Sequence, residues 1–227
     1  MTILNIETST NVCSVAVSTN GECVFSRSNA EGMNHAIMLS PFINEALKYI
    51  SPAVPDAIAV SGGPGSYTGL RIGVSTAKGL SYGLEIPLIA ISTLEIMNVA
   101  ARSKIDYTTD KSLFCAMIDA RRMEVYSAFY DTEGKVYRQV SADIIDENSY
   151  SDILNDYTVY FFGNGAPKCK SVFLHPNAIF IDDIIPLAEN MILIAEKAYS
   201  KKQFVDVAYY EPFYLKEFQA TTPKAKI

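Results

Sequence analysis

The feature that most constrains this chain is a glycine-rich stretch at residues 61–73, with the sequence Ser-Gly-Gly-Pro-Gly-Ser-Tyr-Thr-Gly-Leu-Arg-Ile-Gly. An apolar run, Asp56–Val60, precedes it and predicts a buried strand, and a helical pattern follows it to about Leu84. Seven of the chain's 12 glycines lie between residues 61 and 83. Because glycine within a helix costs about 1 kcal/mol relative to alanine, we expect another backbone to approach this segment closely.

The composition excludes several classes of protein. With 227 residues, 49% of them hydrophobic, the chain is long enough for one large or two small domains and can bury a sizeable core. No apolar run is long enough to span a bilayer and no signal peptide is evident, which predicts a soluble cytoplasmic protein. The four scattered cysteines lack CxxC spacing and are expected to be reduced. A net charge of −6 argues against a protein that binds nucleic acid without a partner.

The order of the predicted elements indicates two related lobes. The first set comprises strands at 2–8, 12–19, 22–28, 56–61 and 87–91, and helices at 35–50, after the glycine-rich turn to about 84, and at 93–102. The second set follows a polar linker at 104–111 and comprises strands at 113–118, 124–130, 135–140, 158–162 and 178–181 and an amphipathic helix at 184–199. We therefore expect an α/β fold with mixed sheets flanked by helices. Residues 1–102 would form the first lobe and 103–202 the second, with the C-terminal segment 203–227 packing back on the first.

On a helical wheel with 100° per residue, each of the first two helices has a core-facing side and at least one further distinct side. The second helix has a core face, a polar stripe and a flat face of small residues, and the first helix has a second apolar side. Two such helices side by side predict an exposed apolar patch that a partner covers; the alternative is that the chain's own second lobe or tail covers it. The expected interface residues are Met38, Phe42, Tyr49, Gly69, Arg71, Ile72, Ser75, Thr76, Lys78, Gly79, Tyr82 and Gly83.

The glycine-rich turn also suggests an anion site, because free amide groups converge where a strand leads through such a turn into a helix. It lacks the Gly-Lys-Ser/Thr ending of a P-loop, and its glycine spacing is one residue too long for a dinucleotide fingerprint. The first hairpin adds hydroxyls that could meet a phosphate and a carboxylate that could hold a metal through water. The expected vestigial nucleotide or phosphate site comprises Glu7, Thr8, Ser9, Gly63, Gly65 and Ser66. The alternative is a purely structural turn whose hydroxyls satisfy backbone groups.

Patterns for a catalytic or metal site are weak. The two histidines, His35 and His175, are unpaired in sequence, because Leu39 stands four residues after His35. There is no GxSxG motif. The segment 119–122, Asp-Ala-Arg-Arg, is either a charged turn or a functional site. Asp182-Asp183 is expected to cap the start of a helix rather than to act as an acid–base pair. We expect no catalytic residues and no metal site.

Taken together, these residues resemble the bacterial TsaB (YeaZ) family. The matching motifs are residues 3–9, His35-Ala36, residues 61–73 with Ala77-Lys-Gly79, and residues 211–215, Glu-Pro-Phe-Tyr-Leu. The resemblance implies a two-lobed actin/Hsp70-like fold of the ASKHA, ribonuclease H-like class. It also implies a role in making N6-threonylcarbamoyladenosine (t6A) at position 37 of tRNAs that read codons beginning with A.

The resemblance further implies the role of a noncatalytic subunit. In this family the TsaD subunit performs the transfer and carries a metal bound by an HxxxH pair, and the TsaE ATPase joins the complex, through which tRNA is reached. ATP and metal are therefore expected on the partner subunits, with no cofactor on this chain, and the chain alone is expected as a monomer or a homodimer. The family contact between TsaB and TsaD is built from the first-lobe helices, which agrees with the prediction from the helical faces.

The chain departs from TsaD-like sequences at positions that would carry chemistry. Thr10-Asn11 stands where TsaD-like chains have Cys-Asp, and Leu39 stands where the second histidine of the metal pair would be. In the second lobe only Gly163-Asn-Gly165 is a candidate remnant of a nucleotide loop. These departures favour a scaffold. The alternatives are an ATP-dependent phosphotransferase of the same superfamily and, less favoured, a glycoprotease-like metallopeptidase.

Overall fold

The computed structural model describes residues 1–32, 34–105 and 111–214, and within these ranges it contains two five-stranded sheets and five α-helices. The strands are β1 Thr2–Glu7, β2 Cys13–Thr19, β3 Glu22–Asn29, β4 Ala57–Gly63, β5 Leu88–Ser92, β6 Ser112–Asp119, β7 Glu124–Tyr130, β8 Val136–Ile144, β9 Thr158–Phe162 and β10 Ala178–Ile181. The helices are α1 His35–Ile50, α2 Tyr67–Leu84, α3 Thr93–Arg102, α4 Ser151–Asp156 and α5 Ile192–Ser200. The expectations for residues 106–110 and 215–227 lie outside the described residues.

The two sheets share one topology. Their strand orders are β3-β2-β1-β4-β5 and β8-β7-β6-β9-β10. In the first sheet β1, β2 and β3 pair antiparallel, and β4 and β5 continue the sheet in parallel from β1. In the second sheet β6, β7 and β8 pair antiparallel, and β9 and β10 continue the sheet in parallel from β6. The predicted pair of mixed sheets flanked by helices is therefore confirmed.

Helices cover both faces of the first sheet. Leu4 and Ile6 of β1 pack with α1 and α2 in one core cluster. Ile3 points to the other face and packs in a second cluster with Ala195 of α5. Because side chains alternate across a strand, the same strand supplies both cores. The residues that follow β1 are held in the interior as a result, beneath the N-terminal half of α2.

Helix α3 contacts both sheets. Leu94 and Met97 pack with Phe114 of β6, whereas Ile96 joins the cluster on the first sheet. Helix α5, which comes late in the chain, packs on the first sheet as well. The lobe boundaries at residues 102 and 203 stay a prediction. No helix within the described ranges is both long and apolar enough to cross a membrane.

The last helix begins later than predicted. The expected helix at 184–199 is regular only from Ile192, after a 3-10 turn at Ala188–Met191. Ile184 and Pro186 are buried without regular structure, so the apolar spacing there reflects a loop packed on the core. The prediction that Asp182-Asp183 caps a helix is wrong. Asp182 instead pairs with Lys170.

The buried face of α1 is rotated relative to the prediction. Leu39, Ile43 and Ala46 are buried as expected, but Ala36, expected on the core face, is exposed. Phe42, expected on the partner side, is only 7% exposed and belongs to the first core cluster. The expectation that Phe42 is available to a partner is therefore wrong. A charge at this position would be buried in the core.

Candidate functional site

The glycine-rich turn lies against the residues that follow β1. Gly63 ends β4 with φ +104, a conformation that a side chain rarely adopts. The amide of Ser66 donates to the carbonyl oxygen of Ser9 at 2.7 Å. A Cβ on Gly65 would collide with the same carbonyl group. These glycines therefore allow the turn to lie directly on the chain after β1.

The first half of α2 continues this close contact. A Cβ on Gly69 would collide with the carbonyl oxygen of Thr8, and one on Gly73 would collide with the Thr8 hydroxyl. That hydroxyl donates to the carbonyl oxygen of Gly69 at 2.8 Å. Ser66 caps the helix, because its hydroxyl accepts from the amide of Gly69 at 3.3 Å. Two of the hydroxyls expected to meet a phosphate, those of Thr8 and Ser66, thus have partners within the chain.

The C-terminal segment, residues 203–214, covers the other side of the turn. The amide of Phe213 donates to the carbonyl oxygen of Gly62 at 2.7 Å. The Tyr210 hydroxyl occupies the space that a Cβ on Gly62 would need, and the Phe213 carbonyl lies against Gly63. The turn is therefore enclosed between the end of β1 and the C-terminal segment. The vestigial phosphate site stays a prediction.

Glu7 is fully buried at the end of β1. Its carboxylate accepts a hydrogen bond from the amide of Ser9. Burial raises the pKa of the Glu7 carboxyl, and the hydrogen bond from the Ser9 amide offsets this only in part. A carboxylate enclosed in this way has no surface position from which to hold a metal through water.

The corresponding turn of the second sheet is built in the same way. Gly165 follows β9 and lies against Ile118 and Asp119 at the end of β6, as Gly65 lies against the chain after β1. The side-chain oxygen of Asn164 accepts from the amide of Asp119 at 2.9 Å. The Asp119 carboxylate pairs with Lys168. Gly163-Asn-Gly165 is therefore a second internally bonded turn.

The described residues offer no obvious metal centre. No group of three or more His, Cys, Asp or Glu side chains gathers anywhere in the described ranges. His35, at the start of α1, is buried and its Nε2 lies 3.2 Å from the carbonyl oxygen of Val12. His175 contacts the amide of Asn177 through Nδ1. Both histidines thus have structural contacts.

The second half of α2 differs from the first, because it presents glycine to open space. A Cβ on Gly79 or Gly83 would meet nothing within 4 Å among the described residues. The Tyr82 side chain between them is 82% exposed. On α1, Tyr49 is 60% exposed as predicted, and Ile37, which the sequence reasoning missed, is 70% exposed. We call the exposed residues Tyr49, Gly79, Tyr82 and Gly83 the helix face.

The remaining expected interface residues on α1 and α2 are half-buried and apolar, buried, or polar. Met38 and Ile72 are half-buried against the first core cluster, so each offers only part of its side chain. Gly69 is buried against Thr8, and its placement on the exposed flat face is wrong. The polar residues Arg71, Ser75, Thr76 and Lys78 are exposed or half-buried. Among these, Lys78 donates to carbonyl oxygens of the C-terminal segment.

Comparison with known proteins shows that nearly all of the chain is similar to proteins named for threonylcarbamoyladenosine synthesis in tRNA. The family model of TsaD, tRNA N6-adenosine threonylcarbamoyltransferase, matches residues 30–223. TsaB of Escherichia coli (strain K12), a tRNA threonylcarbamoyladenosine biosynthesis protein, is 30% identical over 226 residues, which is 95% of this chain and 95% of that protein. The Bacillus subtilis (strain 168) protein of the same name is 34% identical over 145 residues, 63% of this chain and 61% of that protein.

A solved structure extends the similarity to the fold. YeaZ from Pseudomonas aeruginosa superposes with a TM-score of 0.79 at 28% identity, covering 94% of this chain and 99% of that chain. Together with the repeated sheet topology, this confirms the predicted two-lobed actin/Hsp70-like fold.

Proposed function

Because the chain belongs to the TsaB family, we propose that it is a noncatalytic subunit in the synthesis of t6A in bacterial tRNA. In this role it binds a TsaD-like catalytic subunit, and with it a TsaE-like ATPase. The complex transfers the threonylcarbamoyl group to N6 of adenosine 37, and the chain reaches tRNA only through the complex. This work takes place in the cytoplasm.

The observation that carries the proposal is the helix face. Five glycines of the glycine-rich turn and α2, at positions 62, 63, 65, 69 and 73, lie against the chain's own atoms, whereas Gly79 and Gly83 have open space. Glycine in an exposed helix lowers stability by about 1 kcal/mol relative to alanine. Small residues also let a second helix approach closely, by analogy with membrane helices. Exposed Tyr82 on the same helix and exposed Tyr49 on α1 favour a protein partner, because aromatic side chains are enriched at interfaces.

The geometry of the turn supports a noncatalytic role. The amide of Ser66 in the turn already donates to Ser9, and Tyr210 and Phe213 lie against Gly62 and Gly63 on the other side. Glu7, the carboxylate predicted for this site, is buried. We therefore place ATP and metal on the partner subunits and no cofactor on this chain. The helix face is also the surface through which two copies of the chain would pair when the partner is absent.

Reconstitution tests the proposal. The chain, the TsaD-like and TsaE-like proteins and a supply of threonylcarbamoyl-AMP from the same organism are combined with unmodified tRNA, and t6A is measured by mass spectrometry after nuclease digestion. We expect t6A only when the chain is present, and no ATP hydrolysis by the chain alone. Full t6A formation without the chain would contradict the proposal. Robust ATP turnover by the chain alone would favour the phosphotransferase, and chelator-sensitive peptide cleavage the metallopeptidase.

A further inference from the structure

A polar cavity of about 320 Å³ lies between α2 and the C-terminal segment. Arg71, Ser75 and Lys78 line it from the helix, and Glu211 and Tyr214 line it from the segment. The three helix residues recur at intervals of four and three, so they share one side of α2. Two cations thus face one cavity about 10 Å apart along the helix axis.

Both cations are held by neutral groups. Arg71 Nε donates to the Tyr214 hydroxyl at 3.4 Å, and its guanidinium lies 4.3 Å from the ring centre of Tyr67. Lys78 Nζ donates to the carbonyl oxygens of Ala208 at 3.2 Å and Tyr210 at 2.9 Å. These contacts fix the positions of the charges without neutralising them.

Neither cation has a carboxylate partner in the part of the chain that the structure describes. Other cations do have one: Arg27, Lys135, Arg138, Lys168 and Lys170 each lie within 4.0 Å of a carboxylate. Glu211 lines the cavity without pairing with Arg71 or Lys78. The cavity therefore carries an excess of positive charge, two cations against one carboxylate, in a chain whose net charge is −6.

We propose that this cavity receives the carboxylate of an aspartate or glutamate side chain from the protein partner. The proposal rests on the proposed function, because the partner it names is the TsaD-like subunit. Arginine offers a fork of donors that matches a carboxylate, and Ser75 adds a hydroxyl between the two cations. A single carboxylate fits the small excess of charge. A nucleic-acid backbone would meet Glu211 here and a negative chain around it, which opposes binding of a polyanion.

The test uses Ser75 as the site of a built-in competitor. Ser75→Glu places a carboxylate on α2 within reach of Arg71 and Lys78, at the spacing of helical ion pairs, while Ser75→Gln is the uncharged control of similar size. Arg71→Gln removes one cation, and Arg27→Gln removes an exposed arginine on β3. Dissociation constants for the TsaD-like subunit are measured by isothermal titration calorimetry, and folding of every variant is checked by urea denaturation.

We expect Ser75→Glu and Arg71→Gln to weaken binding about tenfold at low salt, and less at about 0.5 M salt, because a charge interaction is screened. Ser75→Gln and Arg27→Gln should bind within about twofold of the unchanged chain. Equal weakening by Ser75→Glu and Ser75→Gln would overturn the proposal. An Arg71→Gln variant that binds the TsaD-like subunit normally would also overturn it. If that variant binds the subunit normally but the assembled complex loses tRNA binding, the ligand of the cavity is a phosphate. If the unchanged chain fails to bind the subunit, the proposed function fails first.

Discussion

Gly69 of α2 lies directly against the carbonyl oxygen of Thr8, the residue that follows β1. The Thr8 hydroxyl in turn lies against Gly73, one helical turn later, and donates to the carbonyl oxygen of Gly69. The backbone of α2 therefore lies in direct contact with Thr8, with no side chain of the helix between them. Gly79 and Gly83 continue the glycine series along the same helix but face open space. One sequence motif thus serves two purposes, internal packing in its first half and an exposed surface in its second.

The two purposes predict opposite effects of alanine. Gly69→Ala should lower the free energy of unfolding by about 1–3 kcal/mol, because its methyl group would collide with a backbone carbonyl that cannot easily move. Gly79→Ala should leave it unchanged or raise it by up to about 1 kcal/mol, because alanine favours the helix and meets no neighbour. Urea denaturation of the two variants measures both values. Equal losses of stability would contradict the division of the glycines.

Buried Glu7 predicts a pH-dependent stability. Its pKa is raised above the usual value of 4.5, so the folded chain holds this proton more tightly than the unfolded chain. The stability linked to this group is complete below the unfolded pKa and is lost as the pH rises through the raised folded pKa. Glu7→Gln cannot ionise and keeps an acceptor for the Ser9 amide. It should therefore raise the free energy of unfolding at about pH 8 and change it little at about pH 4.

Urea denaturation at both pH values checks this expectation. Glu31→Gln, at an exposed carboxylate before α1, is the matched control and should have little effect at either pH. A Glu7→Gln variant with the same effect at both pH values would show that ionisation of this group does not limit stability.

Neighbouring tyrosines in the C-terminal segment predict how the glycine-rich turn is covered. Tyr210 packs on the first core cluster and its hydroxyl lies on Gly62, whereas Tyr209 is 85% exposed. Tyr210→Ala should loosen the segment, so the amide of Phe213, which donates to Gly62, should exchange with solvent at least about tenfold faster. Tyr209→Ala should leave that exchange rate within about twofold. Hydrogen exchange followed by NMR resolves this amide, and equal rates in both variants would argue against the role of Tyr210.

Local signals made most of the fold predictable. Asn20-Gly21 lies in the turn between β2 and β3, and the helix at His35–Ile50 has the predicted bounds. Local sequence patterns do not predict the conformation of segments whose structure is determined by tertiary packing. The spacing at 184–191 resembles a helix, but its apolar residues pack on the core as loop and 3-10 turn. Short α4 carries too few residues for a periodic signal.

The candidate site was predicted less well than the fold. A helical wheel gives the relative angles of residues but not how far each face is buried, so Phe42 and Gly69 were placed outside although both are buried. The sequence predicts that the C-terminal segment packs back on the first lobe, but not that it covers the glycine-rich turn. Its contacts with Gly62 join residues far apart in the chain, and only the tertiary structure brings them together. Gly79 and Gly83, which the helical wheel puts on the flat face of α2, are exposed, and a Cβ on either would meet no described residue within 4 Å.

The central claim is that the helix face binds the TsaD-like subunit, and one dissociation constant tests it most directly. Gly79→Leu adds a large side chain where the face must lie flat, while Asn155→Leu adds the same side chain at an exposed position of α4. Urea denaturation first checks that both variants are folded. Calorimetry against the TsaD-like subunit should then show affinity at least about 100-fold weaker for Gly79→Leu and unchanged for Asn155→Leu. A Gly79→Leu variant that binds as tightly as the unchanged chain would contradict the account.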